Sequence, residues 1–315
     1  MQRFIGYQSA LEYWRRHRRL PAKSNEARQR ALSLPKEPVD TSDIDAIGLT
    51  LPLHVLVGDA NARRFSSLVQ QHVFTQITPS GCFVKCGAEL VVSSPEFCFL
   101  QMASQLSLVR LIMLGYELCG KYSLPNQDDP EVSAPGFYTR QPLTSKKKLA
   151  AFLARMPHVA GRQMAIRALQ YIQDGSWSPM ETKLVIQLSL PSGLGGYGLA
   201  LPNMNVRINL PRPARLELGK AFLVCDLFWP EHRIAAEYDS DLYHTGPQRI
   251  ADDSRRRNYL TSIGIKTIIV TNQQIGDVTS LDAVIKVLAS NMGIRIRNRN
   301  RKFATARQEL RRQLA

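Results

Sequence analysis

One stretch, Phe222 to Leu260, constrains the fold of this chain more than any other. Phe222 to Trp229 is almost wholly apolar, Pro230-Glu231-His232-Arg233 makes a turn, and Ile234 to Asp239 returns. A turn closed about Glu231 and His232 sets Trp229 opposite Ile234. Two-for-two pairing then sets Asp226 opposite Glu237. Directly opposed strand residues hold their Cβ atoms roughly 4.5–5.5 Å apart. Alternation puts Asp239 on the face of Glu237. It leaves Cys225, Leu227, Trp229, Ile234, Ala236 and Tyr238 as an apolar face fit for burial.

Facing carboxylates on apolar strands are costly, because like charges repel and an unpaired buried carboxylate costs more. Two readings follow. A divalent cation removes the problem, and magnesium prefers one or two carboxylates together with waters and phosphate oxygens. That reading gives a metal site for phosphodiester hydrolysis. In the other, one strand is an edge, and both acids reach water or pair with arginines.

The charge balance bears on the partner. The 315 residues carry 41 Lys plus Arg against 26 Asp plus Glu, a net charge of +15. Such an excess favours polyanions through long-range attraction and counterion release, although a merely basic soluble protein has the same composition. Of five cysteines, Cys82 and Cys86 have a ligand-like spacing, but no second Cys/His pair completes a zinc site nearby. Reduced thiols in a cytoplasmic chain are expected. The N-terminus lacks a signal-peptide apolar region and no apolar run approaches about 18 residues, so no membrane partner is expected.

The length allows two domains. Residues 1–140 read as an α+β domain, residues 141–177 as a helical lead-in, 178–290 as an α/β domain and 291–315 as a basic tail. Ser9 to Leu20 reads as a helix with a solvated or phosphate-facing basic end. Leu51 to Gly58 and Cys82 to Val92 read as strands. Ser94-Pro95-Glu96 opens a helix that runs on to a stop at Gly115. Lys121 to Pro142 holds four prolines and reads as a linker.

In the second half, Ser178-Pro179-Met180-Glu181 fits a capping box ahead of an apolar helix. The glycines of P-S-G-L-G-G-Y-G follow a helix and precede a strand, the reverse of a phosphate cradle, so a flexible turn is expected. Asn205 to Leu210 alternates as a half-buried strand. Asp252 and Asp253 precede Arg255, Arg256 and Arg257 on a helix, which gives i,i+3 and i,i+4 pairs; the arginines also suit phosphates. Gly264 ends that helix, Ile265 to Val270 gives a buried strand, and Asp277 to Ala289 a final helix. From Arg295 onward there are eight Lys/Arg and one acid. That run reads as solvated, with Arg295, Arg297, Arg299, Arg301 and Lys302 as nucleic-acid contacts.

Asp226, then Glu237-Tyr238-Asp239-Ser240, His244, and Asp253-x-x-Arg256-x-x-x-Leu260-x-x-x-Gly264 before a β-rich segment resemble the PD-(D/E)XK nuclease superfamily. The particular form is similar to its very-short-patch-repair-like branch, across Ser178 to Thr271. Cys225 stands where the superfamily name has proline, and Asp239 where many members have the catalytic lysine.

The resemblance implies an α/β restriction-endonuclease-like core of helix, three strands, helix and strand, behind a separate α+β N-terminal domain. It implies a metal-dependent endonuclease acting on DNA. Asp226, Glu237 and the backbone carbonyl of Tyr238 would hold Mg²⁺ or Mn²⁺. Glu181, the acid of the first core helix, would join the site or merely cap its helix. Asp239 and His244 would assist the metal or the proton transfer. The segment V-V-S-S-P-E-F and its helix resemble N-terminal parts of bacterial proteins related to abortive-infection antitoxins. Repair, mobile-element defence and a toxin–antitoxin pair with a protein partner stay open as settings. A non-catalytic nucleic-acid-binding regulator and an RNA-directed nuclease are the alternative functions.

Overall fold

The structure, a computed structural model, describes residues 2–20, 33–41, 44, 47–64, 66–87, 89–129, 136–239, 247–296 and 301–315, with only the backbone described at 247–250. It is mixed α/β and separates into two compact units, Met1–Asp174 and Gly175–Ala315. Among the described residues, no helix is long and apolar enough to cross a membrane.

The first unit opens with β1 (Arg3–Ile5) and α1 (Tyr7–His17), followed by β2 (Leu53–Val57), β3 (Val69–Val73), β4 (Phe83–Lys85) and β5 (Leu90–Ser93). These strands form a five-stranded mixed sheet in the order β3-β2-β1-β5-β4. The expected strand at 82–92 is therefore an antiparallel pair, β4 with β5. The single helix expected after Ser94 is two, α2 (Pro95–Met102) and α3 (Leu108–Cys119), each with a serine N-cap, Ser94 and Ser107. Gly115 is no stop. It lies inside α3, where an added Cβ would fall 2.2 Å from Ile172 Cδ1.

The proline-rich 121–142 segment is more than a linker. It carries the antiparallel pair β6 (Tyr122–Ser123) and β7 (Tyr138–Thr139). Helices α4 (Lys146–Arg155) and α5 (Arg162–Leu169) pack on α2 and α3. The lead-in thus belongs to the first unit, because Leu149, Phe152, Leu153 and Ala165 are buried. The basic end of α1 is not simply solvated either. Arg15 donates to both oxygens of the buried Glu117, at 2.9 and 2.7 Å, and Arg18 stacks 3.5 Å over the Tyr138 ring.

The second unit runs α6 (Pro179–Ser189), β8 (Asn203–Asn209), α7 (Arg212–Leu218), β9 (Phe222–Trp229), β10 (Ile234–Asp239), α8 (Pro247–Ser262) and β11 (Lys266–Thr271). The helix, three strands, helix, strand order is present, with α7 inserted after the first strand. The sheet order is β11-β10-β9-β8, antiparallel except for β10 with β11. A parallel neighbour needs a crossover, and α8 supplies it. Strand β11 lies at the sheet edge and is mostly half-buried, with Val270 its one fully buried residue, where a wholly buried strand was expected.

The turn closes in the expected register, with Trp229 opposite Ile234 and Ala236 opposite Leu227. The expected apolar face is not continuous. Cys225 shares a buried cluster with Phe228 and Ala235, an odd spacing along β9 that breaks strict alternation beside Asp226.

Beyond the sheet lie α9 (Asn272–Gly276), α10 (Val278–Asn291) and α11 (Arg301–Leu314). The C-terminal run was expected to be solvated; from Arg301 to Leu314 it is instead a docked amphipathic helix. Phe303, Leu310 and Leu314 are buried, and Arg307 pairs with Asp282 at 2.8 Å. The glycine-rich stretch is the notch that receives it. A Cβ on Gly195, whose φ is +85°, would stand 2.4 Å from the Ala306 carbonyl oxygen. The missing side chain, more than flexibility, is what this glycine contributes.

Candidate metal centre

Asp226 and Glu237 occupy one row of the sheet. The β9–β10 ladder ends at the pair Ala236 and Leu227, one step before them. In place of the next ladder bond, Asp226 Oδ2 accepts the Tyr238 backbone N–H at 2.9 Å. On the other side of β9, Met204 and Val206 pair with Leu227 and Cys225. Asn205 lies between them, so its place is opposite Asp226. Its φ of +49° is a left-handed conformation that asparagine tolerates better than most residues. The row therefore reads Asn205, Asp226, Glu237, with Ile269 beyond on β11. It opens into a cleft of about 250 Å³ lined by Asp226, Glu237, Tyr238, Asp239, Arg256 and Arg257.

Glu237 is buried and bound by Arg256 through a two-pronged ion pair, with Nη2 at 2.5 Å from Oε1 and Nη1 on Oε2. Arg256 Nη2 also donates to the Val224 carbonyl. One guanidinium on α8 thus ties together both strands that carry the acids. Burial lowers the Arg256 pKa, but its hydrogen bond to Glu237 and the carboxylate charge more than offset that.

Among the described residues, Asp226 has no such ion pair. Burial first, then the negative charge of Glu181, push its pKa up to about 7, with a smaller push from Glu237; the Tyr238 N–H and Arg256 oppose the rise. Near neutral pH this carboxyl is only partly ionised.

Glu181 sits at the start of α6. The Ser178 hydroxyl accepts its backbone N–H at 3.1 Å and donates to Oε1 at 3.0 Å. The reciprocal bond of a capping box goes one residue further back than expected, to the Trp177 N–H at 3.0 Å. Asn205 Nδ2 adds a 2.6 Å bond to Oε2. Glu181 is buried, and burial raises its pKa against these three donors. So Glu181 caps its helix and also acts electrostatically on Asp226.

The remaining expected residues divide. Asp239 lines the cleft. His244 lies outside the described residues, as do Arg297 and Arg299. Arg256 was expected to reach phosphate and is instead committed to Glu237. Arg255 pairs with Asp252, the default helical reading, and Arg257 is exposed at the cleft. Arg295, Arg301 and Lys302 are exposed, the last two on the docked helix α11.

Sequence reasoning missed Asn205 and the role of Arg256. An asparagine inside an alternating strand was the available signal, since its side chain and backbone both suit irregular geometry. Comparison of the chain with protein-family models, with curated proteins and with solved structures finds no match.

Proposed function

We propose that the second unit is a metal-dependent endonuclease of the restriction-endonuclease-like kind, acting on DNA. The observation that carries this reading is that Asp226 and Glu237 line one cleft, with a third carboxylate, Glu181, close enough to raise the Asp226 pKa. A core has no use for three acids gathered at such electrostatic cost.

The residues fit Mg²⁺ or Mn²⁺. Asp226 has one oxygen engaged by a backbone N–H, and among the described residues no other hydrogen bond reaches its carboxylate. Each oxygen of Glu237 accepts one bond from Arg256, and a carboxylate offers about four lone-pair sites, so acceptor capacity for a cation remains. Hydrogen-bonded ligating carboxylates are the common arrangement. Asp226, Glu237 and the Tyr238 carbonyl would hold the ion, which when bound supplies charge stabilisation at the scissile phosphate and a more acidic water. Arg256 orients Glu237. Arg257, exposed at the cleft mouth, offers a fork to a flanking phosphate. Asp239 faces the same cleft and serves the metal or the proton transfer.

A second reading has its own observation. Arg256 forms a two-pronged ion pair with Glu237, which by itself can balance that buried charge. A non-catalytic nucleic-acid-binding protein on this fold would look the same. Incubation of purified protein with matched DNA and RNA strands, with Mg²⁺ or Mn²⁺ and with EDTA, separates these readings. The expected result is metal-dependent cleavage of DNA that Asp226→Ala abolishes. Retained metal-dependent cleavage in Asp226→Ala overturns the site, and preferred cleavage of RNA overturns the substrate.

A further inference from the structure

We propose that Asn205 is a positioning residue of the carboxylate site, acting through Glu181. This rests on the metal-centre reading above.

Asn205 Nδ2 donates to two acceptors, Glu181 Oε2 at 2.6 Å and the Gly175 carbonyl at 2.9 Å. A carbonyl oxygen can only accept, and an ionised carboxylate likewise. Turning the amide over would set its oxygen against both, so the orientation is fixed by its neighbours. The consequence is an orphan. Asn205 Oδ1 is buried and meets no hydrogen-bond donor among the described residues. Buried acceptors are ordinarily satisfied by protein or water, so Oδ1 offers a place for a water beside Glu181.

The backbone supports the same assignment. Asn205 holds φ +49° in the middle of β8, opposite Asp226, and the ladder omits it on that row. From β8 the amide reaches both Glu181 in the first turn of α6 and the Gly175 carbonyl. Glu181 is thereby fixed from two sides, by the helix start through Trp177 and Ser178 and by the sheet through Asn205. Only the second tether ties Glu181 to the strand row that holds Asp226. Capping alone would need Ser178 and nothing from β8.

The test is a double-mutant cycle on Mn²⁺ affinity, measured by titration calorimetry on the full chain. Asn205→Gly removes the amide while keeping a residue at ease at positive φ. Glu181→Gln removes the charge that Asn205 holds. Each single variant is expected to weaken Mn²⁺ binding by about tenfold, the scale of lost outer partners at metal sites. The double variant is expected to be no weaker than the singles, because Asn205 acts through Glu181. Unchanged affinity in Asn205→Gly, or additive losses in the double variant, overturns the proposal while leaving the metal centre intact. If Asn205→Gly fails to fold, Asn205→Ser, whose side chain is too short to reach Glu181, takes its place in the cycle, and unchanged binding or additive losses there overturn the proposal. A wild type that takes up no Mn²⁺ overturns the metal centre itself, and the proposal with it.

Discussion

Arg256 grips both carboxylate oxygens of Glu237 and, with the same nitrogen, the carbonyl of Val224 on the neighbouring strand. The hairpin ladder has already ended at that row, so the guanidinium does what ladder hydrogen bonds do elsewhere in the sheet. Loss of the arginine leaves Glu237 charged, buried and unpaired. Arg256→Ala is expected to cost roughly 2–3 kcal/mol, less than the roughly 3–5 kcal/mol of a fully buried pair because Arg256 keeps some contact with water. Denaturant unfolding of the two proteins measures it. Arg256→Lys is expected to recover only part of the loss, because an ammonium cannot fork a carboxylate.

Asp226 works against the stability of the fold. Its folded-state pKa of about 7 lies above the usual 3.8. A carboxyl raised on folding stabilises most below its unfolded pKa, and that contribution is lost as pH rises through about 7. Asp226→Asn removes the ionisable proton and keeps an oxygen for the Tyr238 N–H. Its melting temperature is expected to match or slightly trail the wild type near pH 4 and to exceed it by several degrees at pH 8. Calorimetric scans across that range check the crossing. A variant less stable than the wild type at pH 8 would count against the buried, charge-crowded site.

The first unit carries the opposite sensitivity. His54 Nδ1 and His72 Nε2 stand 3.0 Å apart, and the Tyr7 ring stacks 3.7 Å over His72. Burial, then the charges of His54 and Arg63, lower the His72 pKa to about 4. Here the unfolded chain takes up the proton first. Stability is therefore expected to fall as pH drops from about 6.5 to about 4. His72→Gln is expected to flatten that slope in equilibrium unfolding at stepped pH. An unchanged slope would mean that the imidazole stays exposed in solution.

Helix α11 depends on one absent methyl group. Gly195→Ala would force a Cβ to within 2.4 Å of the Ala306 carbonyl at a positive φ. The cost is expected to be on the order of 1–3 kcal/mol, read as faster proteolysis within Arg301–Leu314. Gly193→Ala is the control, because a Cβ there meets nothing within 4 Å. Equal protease resistance in both variants would show that the helix is not seated on the glycine notch.

These residues also show what a sequence can and cannot carry. The β9–β10 register was legible because Pro230 to Arg233 punctuates two apolar runs, and a turn of known length fixes every pair beyond it. The serine caps at 94 and 178 and the stop at Gly264 were legible for the same local reason. The docking of α11 was not, since Phe303, Leu310 and Leu314 are too sparse among cations to mark a buried face. Gly195 explains that helix only once Ala306 is seen against it. Arg256 among three consecutive arginines is chosen by the direction in which α8 faces the sheet, a tertiary fact. Asn205 alternates like any strand residue, and its left-handed backbone appears only in three dimensions.

Cleavage of supercoiled and single-stranded DNA by purified protein in Mg²⁺ or Mn²⁺, run beside Glu237→Ala, tests the proposed site. The wild type is expected to cleave, EDTA to stop it, and the variant to lack the activity. Equal cleavage by both proteins would overturn the proposed site and put the chemistry away from Asp226 and Glu237.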